Sequence, residues 1–341
     1  MHLLSAVVVA ALTAARPSVV QPEVKSAAAY LEHVLQYHSG QEDAVTQALA
    51  TWSADDLQLA LRGLPAALTG PPSMPQISKP TIVSAAMTMH VDIARRAEIP
   101  ERIGLHLSIG QRLSDLLPRD QPASLFRARW HLLAGTLLFS LSRLGEALGQ
   151  FDTARGLSPE DPEILLAIGS VHEIATKSVG AGNEWGEPLS AAIALYRAAL
   201  TTAPDLHEAR VRLARTHTLR GDLDAAAAVM AAVDTRALSM HLRYLTALIG
   251  GSIADAIGRT DEAIGRYQEA RALCRGCQSA TLALSLIRLR TGDRSAADQL
   301  VESLVHDPPW PPRADPWWTY QQGQWHSADR MFEQLRHGVL E

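Results

Sequence analysis

A short string of small and aromatic residues returns along this chain at a nearly constant spacing. Each copy begins with an alanine, and in three of the five copies an aromatic residue and a second alanine follow. The leading residues are Ala147, Ala192, Ala226, Ala263 and Ala297, which are 45, 34, 37 and 34 residues apart. A spacing of this size predicts stacked helical hairpins, in which each unit buries its apolar face only against its neighbours. We therefore expect an all-α array.

These anchors resemble the motif of the tetratricopeptide repeat (TPR) family. In the first copy, Ala147 and Phe151 lie along the second helix of a hairpin, and Pro159 follows where that helix must end. The resemblance covers residues 124–312 as five units of unequal quality, and the second unit contains an insertion loop at 177–190. It implies a right-handed α-solenoid of helical hairpins.

The chemistry of the anchors supports the same hairpins. Small residues at a helix crossing, such as Gly169 and Gly251, allow close approach, and Phe151 and Tyr196 fill the space between units. We expect turns with backbone conformations that side chains resist at Gly221, Gly258 and Gly292.

The N-terminal third contains weaker helical patterns. Residues 1–15 are apolar and then small, which predicts a cleavable export signal, with a buried first helix as the alternative. Residues 24–118 have the periodicity of helical hairpins, with Ser53 as a helix cap. We expect these hairpins to continue the repeat array rather than to form a separate domain. Five prolines within 63–80 predict a linker without regular helix.

Composition limits the partners that the chain can bind. Lys and Arg number 31 against 36 Asp and Glu, for a net charge of -5. Because binding to nucleic acid depends on clustered positive charge, we expect no nucleic-acid partner. Residues 1–15 are too short to span a membrane, and no later segment is long and apolar enough to predict a membrane span. We expect the mature protein in the periplasm or another extracytoplasmic compartment.

The sequence offers no convincing catalytic or metal-binding set. Cys274 and Cys277 are the only cysteines, and in an oxidising compartment they predict a local disulfide or two half-buried thiols. His172 precedes Glu173 without the second histidine that a zinc protease motif requires. We therefore expect no enzyme activity, no metal and no cofactor.

The C-terminal tail, 313–341 with the residues just before it, is rich in tryptophan and proline. Its aromatic side chains are Trp310, Trp317, Trp318, Tyr320 and Trp325. One interpretation is an aromatic platform for a sugar or a partner peptide. The other, which we favour, is a cap over the exposed face of the last repeat, followed by a final helix near 327–339.

The TPR resemblance implies that a partner binds along the first helices of the units. Carrying the repeat register onto this chain predicts a groove with side chains of mixed charge, namely Arg129, Thr136, Ser170, Glu173, Arg215 and Asp255. Mixed charge favours a protein or peptide over a polyanion. The sequence thus predicts a non-catalytic, exported scaffold that binds a protein or peptide in the cell envelope. The alternative is a carbohydrate- or cell-wall-binding module that uses the C-terminal tryptophans.

Overall fold

The computed structural model describes residues 22–68, 77–175, 186–306, 315–321, 328–338 and 340. The helices of this part are α1 (Pro22–His38), α2 (Glu42–Ala50), α3 (Ala54–Ala67), α4 (Lys79–Arg96), α5 (Pro100–Ser114), α6 (Gln121–Ser140), α7 (Leu144–Leu157), α8 (Pro162–Ala175), α9 (Gly186–Thr202), α10 (His207–Arg220), α11 (Leu223–Ala231), α12 (Met240–Ala256), α13 (Thr260–Leu273), α14 (Gln278–Arg290), α15 (Arg294–His306), α16 (Pro316–Gln321) and α17 (Ala328–Arg336). The predicted all-α fold of helical hairpins is confirmed. None of these helices combines the length and apolarity that crossing a membrane would require. The predicted export signal at 1–15 lies outside the described residues.

The described residues form two compact units. Unit 1 comprises residues up to Leu137 together with those from His326 onward, and unit 2 comprises Leu138–Trp325. The division falls within α6, the first helix of the first predicted repeat. Unit 1 therefore takes its residues from both ends of the chain.

The first hairpins of unit 1 depend on capping and close packing. In unit 1, α1 packs against α3 and α4, and α4 packs against α5. The predicted cap at Ser53 is confirmed, because its hydroxyl accepts a hydrogen bond from the backbone N–H of Asp56 at 3.1 Å. The prediction that residues 63–80 contain no regular helix is wrong at both ends, since α3 runs through Pro65 to Ala67 and α4 begins at Lys79, and residues 69–76 lie outside the described residues.

Packing explains why α3 tolerates its proline. A Cβ atom on Gly63 would lie 2.5 Å from the carbonyl oxygen of Glu23 in α1, so the two helices are nearly in backbone contact there. Leu64 is fully buried beside it. Tertiary burial thus holds the last turn of α3 although Pro65 removes one backbone donor.

A chain of buried polar side chains crosses the core of unit 1. The hydroxyl of Tyr30 lies 2.9 Å from Nε2 of His90, and the Nδ1 atoms of His90 and His106 are 2.8 Å apart. Burial lowers the pKa of His90 well below its usual value, and burial together with Arg102 lowers the pKa of His106 to about 4. Both imidazoles are therefore neutral at neutral pH.

The C-terminal helix completes unit 1. Helix α17 packs against α4, where Asp329 pairs with Arg95, and the Arg95 guanidinium stacks 4.8 Å from the ring centre of Phe332. The Thr136 hydroxyl donates to the sulfur of Met331 at 3.6 Å. The predicted final helix thus exists at Ala328–Arg336, and within unit 1 it contacts α2 as well as α4 and α6.

Unit 2 contains hairpins that pair α8 with α9, α10 with α11, α12 with α13, and α14 with α15. The predicted close approaches are confirmed, because a Cβ on Gly169 would lie 2.6 Å from the Tyr196 ring and one on Gly251 would lie 2.7 Å from the Tyr267 ring. The predicted turn glycines have positive φ angles, namely +88° at Gly221, +80° at Gly258 and +86° at Gly292.

Two elements of unit 2 differ in length from the repeat pattern. Helix α9 begins at Gly186, inside the predicted insertion loop at 177–190, since Pro188 is acceptable in a first helical turn. The earlier part of that loop, 177–185, lies outside the described residues. Helix α11 has only nine residues, and Ala226 is its only buried one. The third repeat lacks the aromatic anchor, because Met230 stands at that position, and this accounts for the weak packing of its second helix.

Candidate functional site: the groove face of unit 2

The first helices of four successive hairpins in unit 2 share one contact surface. We call this surface, formed by α8, α10, α12 and α14, the groove face. Side chains or backbone from all four helices contact one short segment of the same unit, residues 315–321, which contains α16. The segment therefore shows which groups of this face can hold a polypeptide.

A buried carboxylate lies at the centre of the groove face. Glu173 on α8 is fully buried and accepts hydrogen bonds from Tyr196 at 2.8 Å and from Arg212 at 3.1 Å. Arg215 also pairs with this carboxylate. Arg212 is in turn bonded to Glu208, one turn earlier on α10, at 3.3 Å. Two arginines and two glutamates thus balance their charges inside the protein.

Tyr320 from the segment completes this cluster. Its hydroxyl donates to Glu173 at 3.0 Å, and its ring centre lies 4.0 Å from the Arg212 guanidinium. The side chain is 1% exposed. Trp317 stacks on Tyr320 at 5.5 Å between ring centres, and Arg215 lies 4.9 Å from the Trp317 ring. Cation–π contacts of this kind favour aromatic side chains over aliphatic ones.

Asp315 fixes the start of the segment. Its carboxylate accepts hydrogen bonds from the Tyr244 hydroxyl at 2.9 Å and from the backbone N–H of Ser279 at 2.8 Å. Ser279 is the second residue of α14, where a helix N-terminus stabilises negative charge. The backbone N–H of Trp317 donates to the same carboxylate at 2.9 Å. Asp315 is therefore held by two groups of the groove face and one of its own segment.

The charge state of the cluster follows from its neighbours. Burial by itself raises the pKa of Glu173, but Arg215 and Arg212 outweigh that effect and the pKa lies below its usual value. Burial and then Glu173 raise the pKa of Tyr320, so its phenol keeps its proton. At neutral pH Glu173 is therefore a carboxylate, Arg212 and Arg215 are charged, and the phenol of Tyr320 is a hydrogen-bond donor.

An open cavity lies beside the segment. It has a volume of about 210 Å³, and its lining includes the aromatic side chains of Trp317 and Tyr267. The rest of its lining comes mainly from the groove face, namely Arg215, Thr218, Leu248, Ile249, Ser252, Ser279 and Ala283. Part of the groove face thus remains accessible next to residues 315–321.

Known structures resemble half of the chain. The matches include MamA from Desulfovibrio magneticus RS-1, with 18% identity over 53% of this chain and 94% of that one at a TM-score of 0.41. Pseudomonas aeruginosa pilF has 14% identity, covering 52% of this chain and 76% of its own, at a TM-score of 0.44. YrrB, described as a TPR protein with an unusual peptide-binding site, has 14% identity, 52% and 84% coverage, and a TM-score of 0.36.

These similarities are in fold alone. Because the three TM-scores are below 0.5 and the identities are below 25%, these structures support no conclusion about the function of this chain. Its hairpin architecture is established by its own helices. No family model matches the sequence, and no curated protein is significantly similar to it.

The structure brings together three of the six predicted groove residues. Ser170, Glu173 and Arg215 lie in one cluster, since the hydroxyl of Tyr196 contacts both Ser170, at 3.4 Å, and Glu173. They were expected to line an open groove, but all three are buried. The difference arises because residues 315–321 lie over Glu173 and Arg215, a placement that the repeat register does not contain.

The other three predicted residues lie elsewhere. Arg129 is exposed and Thr136 is buried, and both belong to unit 1. Asp255 is half-buried on α12 and pairs with Arg290 of α14. Only Asp255 of these three is on the groove face, one turn from the cavity residue Ser252.

Sequence reasoning did not find Arg212, Tyr244 or Asp315, and it treated Tyr320 only as one member of an aromatic run. One signal for Arg212 was present: it lies four positions after Glu208 and three before Arg215, and side chains at these spacings are neighbours on a helix. No comparable signal marks Tyr320, because the tail does not repeat. Its partner Glu173 is 147 positions away in the sequence.

The structure also places the two cysteines and several of the tail aromatics that were candidates from the sequence. Cys274 and Cys277 form a disulfide between α13 and α14, with Cα atoms 5.5 Å apart. Of the tail aromatics, Trp310 and Trp325 lie outside the described residues, whereas Trp318 is 49% exposed. Trp317 and Tyr320 stack on each other, and Tyr320 presents no exposed ring face for a sugar. Among the described residues, no group of three potential metal ligands was found.

Proposed function

We propose that the groove face of unit 2 binds a short polypeptide segment of a partner protein, and that the chain is a non-catalytic scaffold. One observation supports this most strongly. Residues 315–321 lie on that face and are held by groups from α8, α10, α12 and α14. A surface that holds one heptapeptide through side chains and backbone has the donors and stacking partners to hold another.

The chemistry of the cluster favours binding over catalysis. A general acid at neutral pH needs a raised pKa, but the arginines lower the pKa of Glu173. The two arginine side chains are engaged by Glu173 and by aromatic rings. Groups that already satisfy one another fix a ligand in place better than they move protons.

A peptide display library tests this proposal without knowledge of the partner. Random dodecapeptides would be selected on the full chain and then measured against two matched variants. Ser252→Trp fills the open cavity from an exposed position on α12, whereas Ser295→Trp places the same bulk on the exposed side of α15. We expect Ser252→Trp to weaken the selected peptides at least about tenfold, which corresponds to about 1.4 kcal/mol. We expect Ser295→Trp to leave them unchanged. Equal binding to both variants would refute the proposal.

We further propose that the protein acts outside the cytoplasm, in the cell envelope. The apolar pattern of residues 1–15 and the pairing of Cys274 with Cys277 support this location, because disulfides persist in oxidising compartments. Intact-mass measurement of the full chain after expression in a bacterium tests it. The proposal predicts an exported product that lacks about 15 N-terminal residues and has no free thiol. An uncleaved, reduced cytoplasmic product would contradict it.

A further inference from the structure

We infer that the partner segment is acidic and aromatic, with a carboxylate followed five positions later by a tyrosine, and that it binds by replacing residues 315–321. This inference rests on the proposed function and specifies the chemistry of the partner. Within the chain, the segment DPWWTYQ has this pattern, with Asp315 and Tyr320 at its two anchor positions. Residues 315–321 would then be a built-in competitor for the partner.

The carboxylate anchor is recognised by groups that suit an acidic residue. The Tyr244 hydroxyl and the Ser279 backbone N–H both donate to Asp315, which is 7% exposed. If asparagine replaced Asp315, its amide N–H donors would face one of these two donors, and two facing donors form no hydrogen bond. The groove face therefore selects an acidic side chain over its amide at this position.

The phenol anchor is recognised in two ways. Glu173 accepts the hydroxyl proton of Tyr320, and Arg212 stacks on its ring. Phenylalanine would keep the stacking and lose the hydrogen bond, leaving a buried carboxylate oxygen with one donor fewer. An aliphatic side chain would lose both contacts, so the face selects tyrosine over phenylalanine and phenylalanine over leucine.

Charged side chains form part of the contact beneath the segment. Tyr320 and Trp317 contact Glu173, Arg212 and Arg215, and they also pack with the hydrophobic core of unit 2. The apolar part of this surface would be costly to expose, whereas the paired charges are hydrated when the segment leaves. The cluster is therefore compatible with both a covered and an uncovered groove face.

The open cavity gives a partner a place to begin. It adjoins Trp317 and reaches Tyr267, so an incoming aromatic or aliphatic side chain can enter it while residues 315–321 are still in place. Arg215 borders both the cavity and the segment. A partner could thus contact the groove face first at the cavity and then compete for the anchors of Asp315 and Tyr320.

A fluorescein-labelled DPWWTYQ peptide tests the inference on the full-length chain by fluorescence anisotropy. In the wild-type chain residues 315–321 compete with the peptide. The apparent affinity is therefore the intrinsic affinity multiplied by the fraction of molecules whose groove face is uncovered. Tyr320→Ala in the chain should release the segment and tighten binding of the peptide at least about tenfold. Tyr320→Phe keeps the stacking on Arg212, and we expect a smaller gain. Trp318→Ala is the matched control, because this exposed side chain should not change the affinity.

Changes in the peptide complete the test. Replacing its tyrosine with alanine, or its aspartate with asparagine, should weaken binding to the Tyr320→Ala chain at least about tenfold. Equal affinity for the wild-type chain, Tyr320→Ala and Tyr320→Phe, or no binding to any of them, would overturn the inference. If peptides from the display library still depend on Ser252 while DPWWTYQ fails, the proposed function stands and only the partner chemistry is wrong. If they do not depend on Ser252, the proposed function itself fails.

Discussion

Neutralising Glu173 tests whether the charged cluster is as desolvated as its contacts indicate. Glu173 is fully buried and accepts hydrogen bonds from Tyr196, Arg212, Arg215 and Tyr320. Glu173→Gln keeps the shape of the side chain but leaves the two guanidinium groups without that negative charge. Breaking a buried ion pair from one side costs about 3–5 kcal/mol.

The expected loss is large enough to measure by calorimetry. For a unit of the size of unit 2, 1 kcal/mol shifts the midpoint of thermal unfolding by about 2–4 °C. We therefore expect Glu173→Gln to lower the midpoint of the unit 2 transition by at least about 6 °C.

The matched control is Glu262→Gln. Glu262 is 46% exposed and lies 3.5 Å from Arg259, so its loss should change stability by no more than about 0.5 kcal/mol. Equal, small shifts for the two variants would refute the conclusion that the cluster is desolvated. They would also remove the physical basis for selecting a tyrosine at the position of Tyr320.

Two further predictions concern packing and pH. Gly169→Ala should destabilise unit 2 by about 1–3 kcal/mol in urea unfolding, because the added Cβ would lie 2.6 Å from the Tyr196 ring. Gly149→Ala is the control, and it should be neutral or slightly stabilising because the space around Gly149 is open. Equal effects of the two substitutions would contradict the close approach. Burial lowers the pKa of His106 to about 4 in the folded protein. Between about pH 6.5 and pH 4, His106 is therefore protonated in the unfolded chain but neutral in the folded one. Stability of unit 1 should therefore fall by about 1.4 kcal/mol per pH unit for this histidine as the pH drops from about 6.5 toward 4. His106→Leu should flatten that profile and exposed His306→Leu should not; the same slope in all three chains would show that His106 does not cause it.

Periodicity predicts the local structure of unit 2 well, because each hairpin is specified by contacts with its sequence neighbours. Gly169 and Gly251 mark the helix crossings, and glycines such as Gly221 mark the turns. Helix bounds are less predictable where tertiary contacts override local preference. Helix α3 continues through Pro65 because Gly63 and Leu64 pack against other helices.

The candidate site is only half predictable from the sequence. Repeat register places Glu173 and Arg215 on first helices, and they do meet. The segment that covers them cannot be located in this way, because Tyr320 belongs to a tail without a repeat. Its position is determined by a few polar matches, such as Asp315 with Tyr244, that only a folded structure brings together.

Hydrogen–deuterium exchange of the full-length chain tests the central claim most directly. The wild-type chain would be measured alone and with a saturating peptide selected from the display library. We expect the amides of residues 315–321 to exchange faster when the peptide is bound, and those of α10 and α12 to exchange more slowly. If the peptide protects α10 and α12 and residues 315–321 keep their protection, the partner binds beside the segment, and the claim of replacement is wrong.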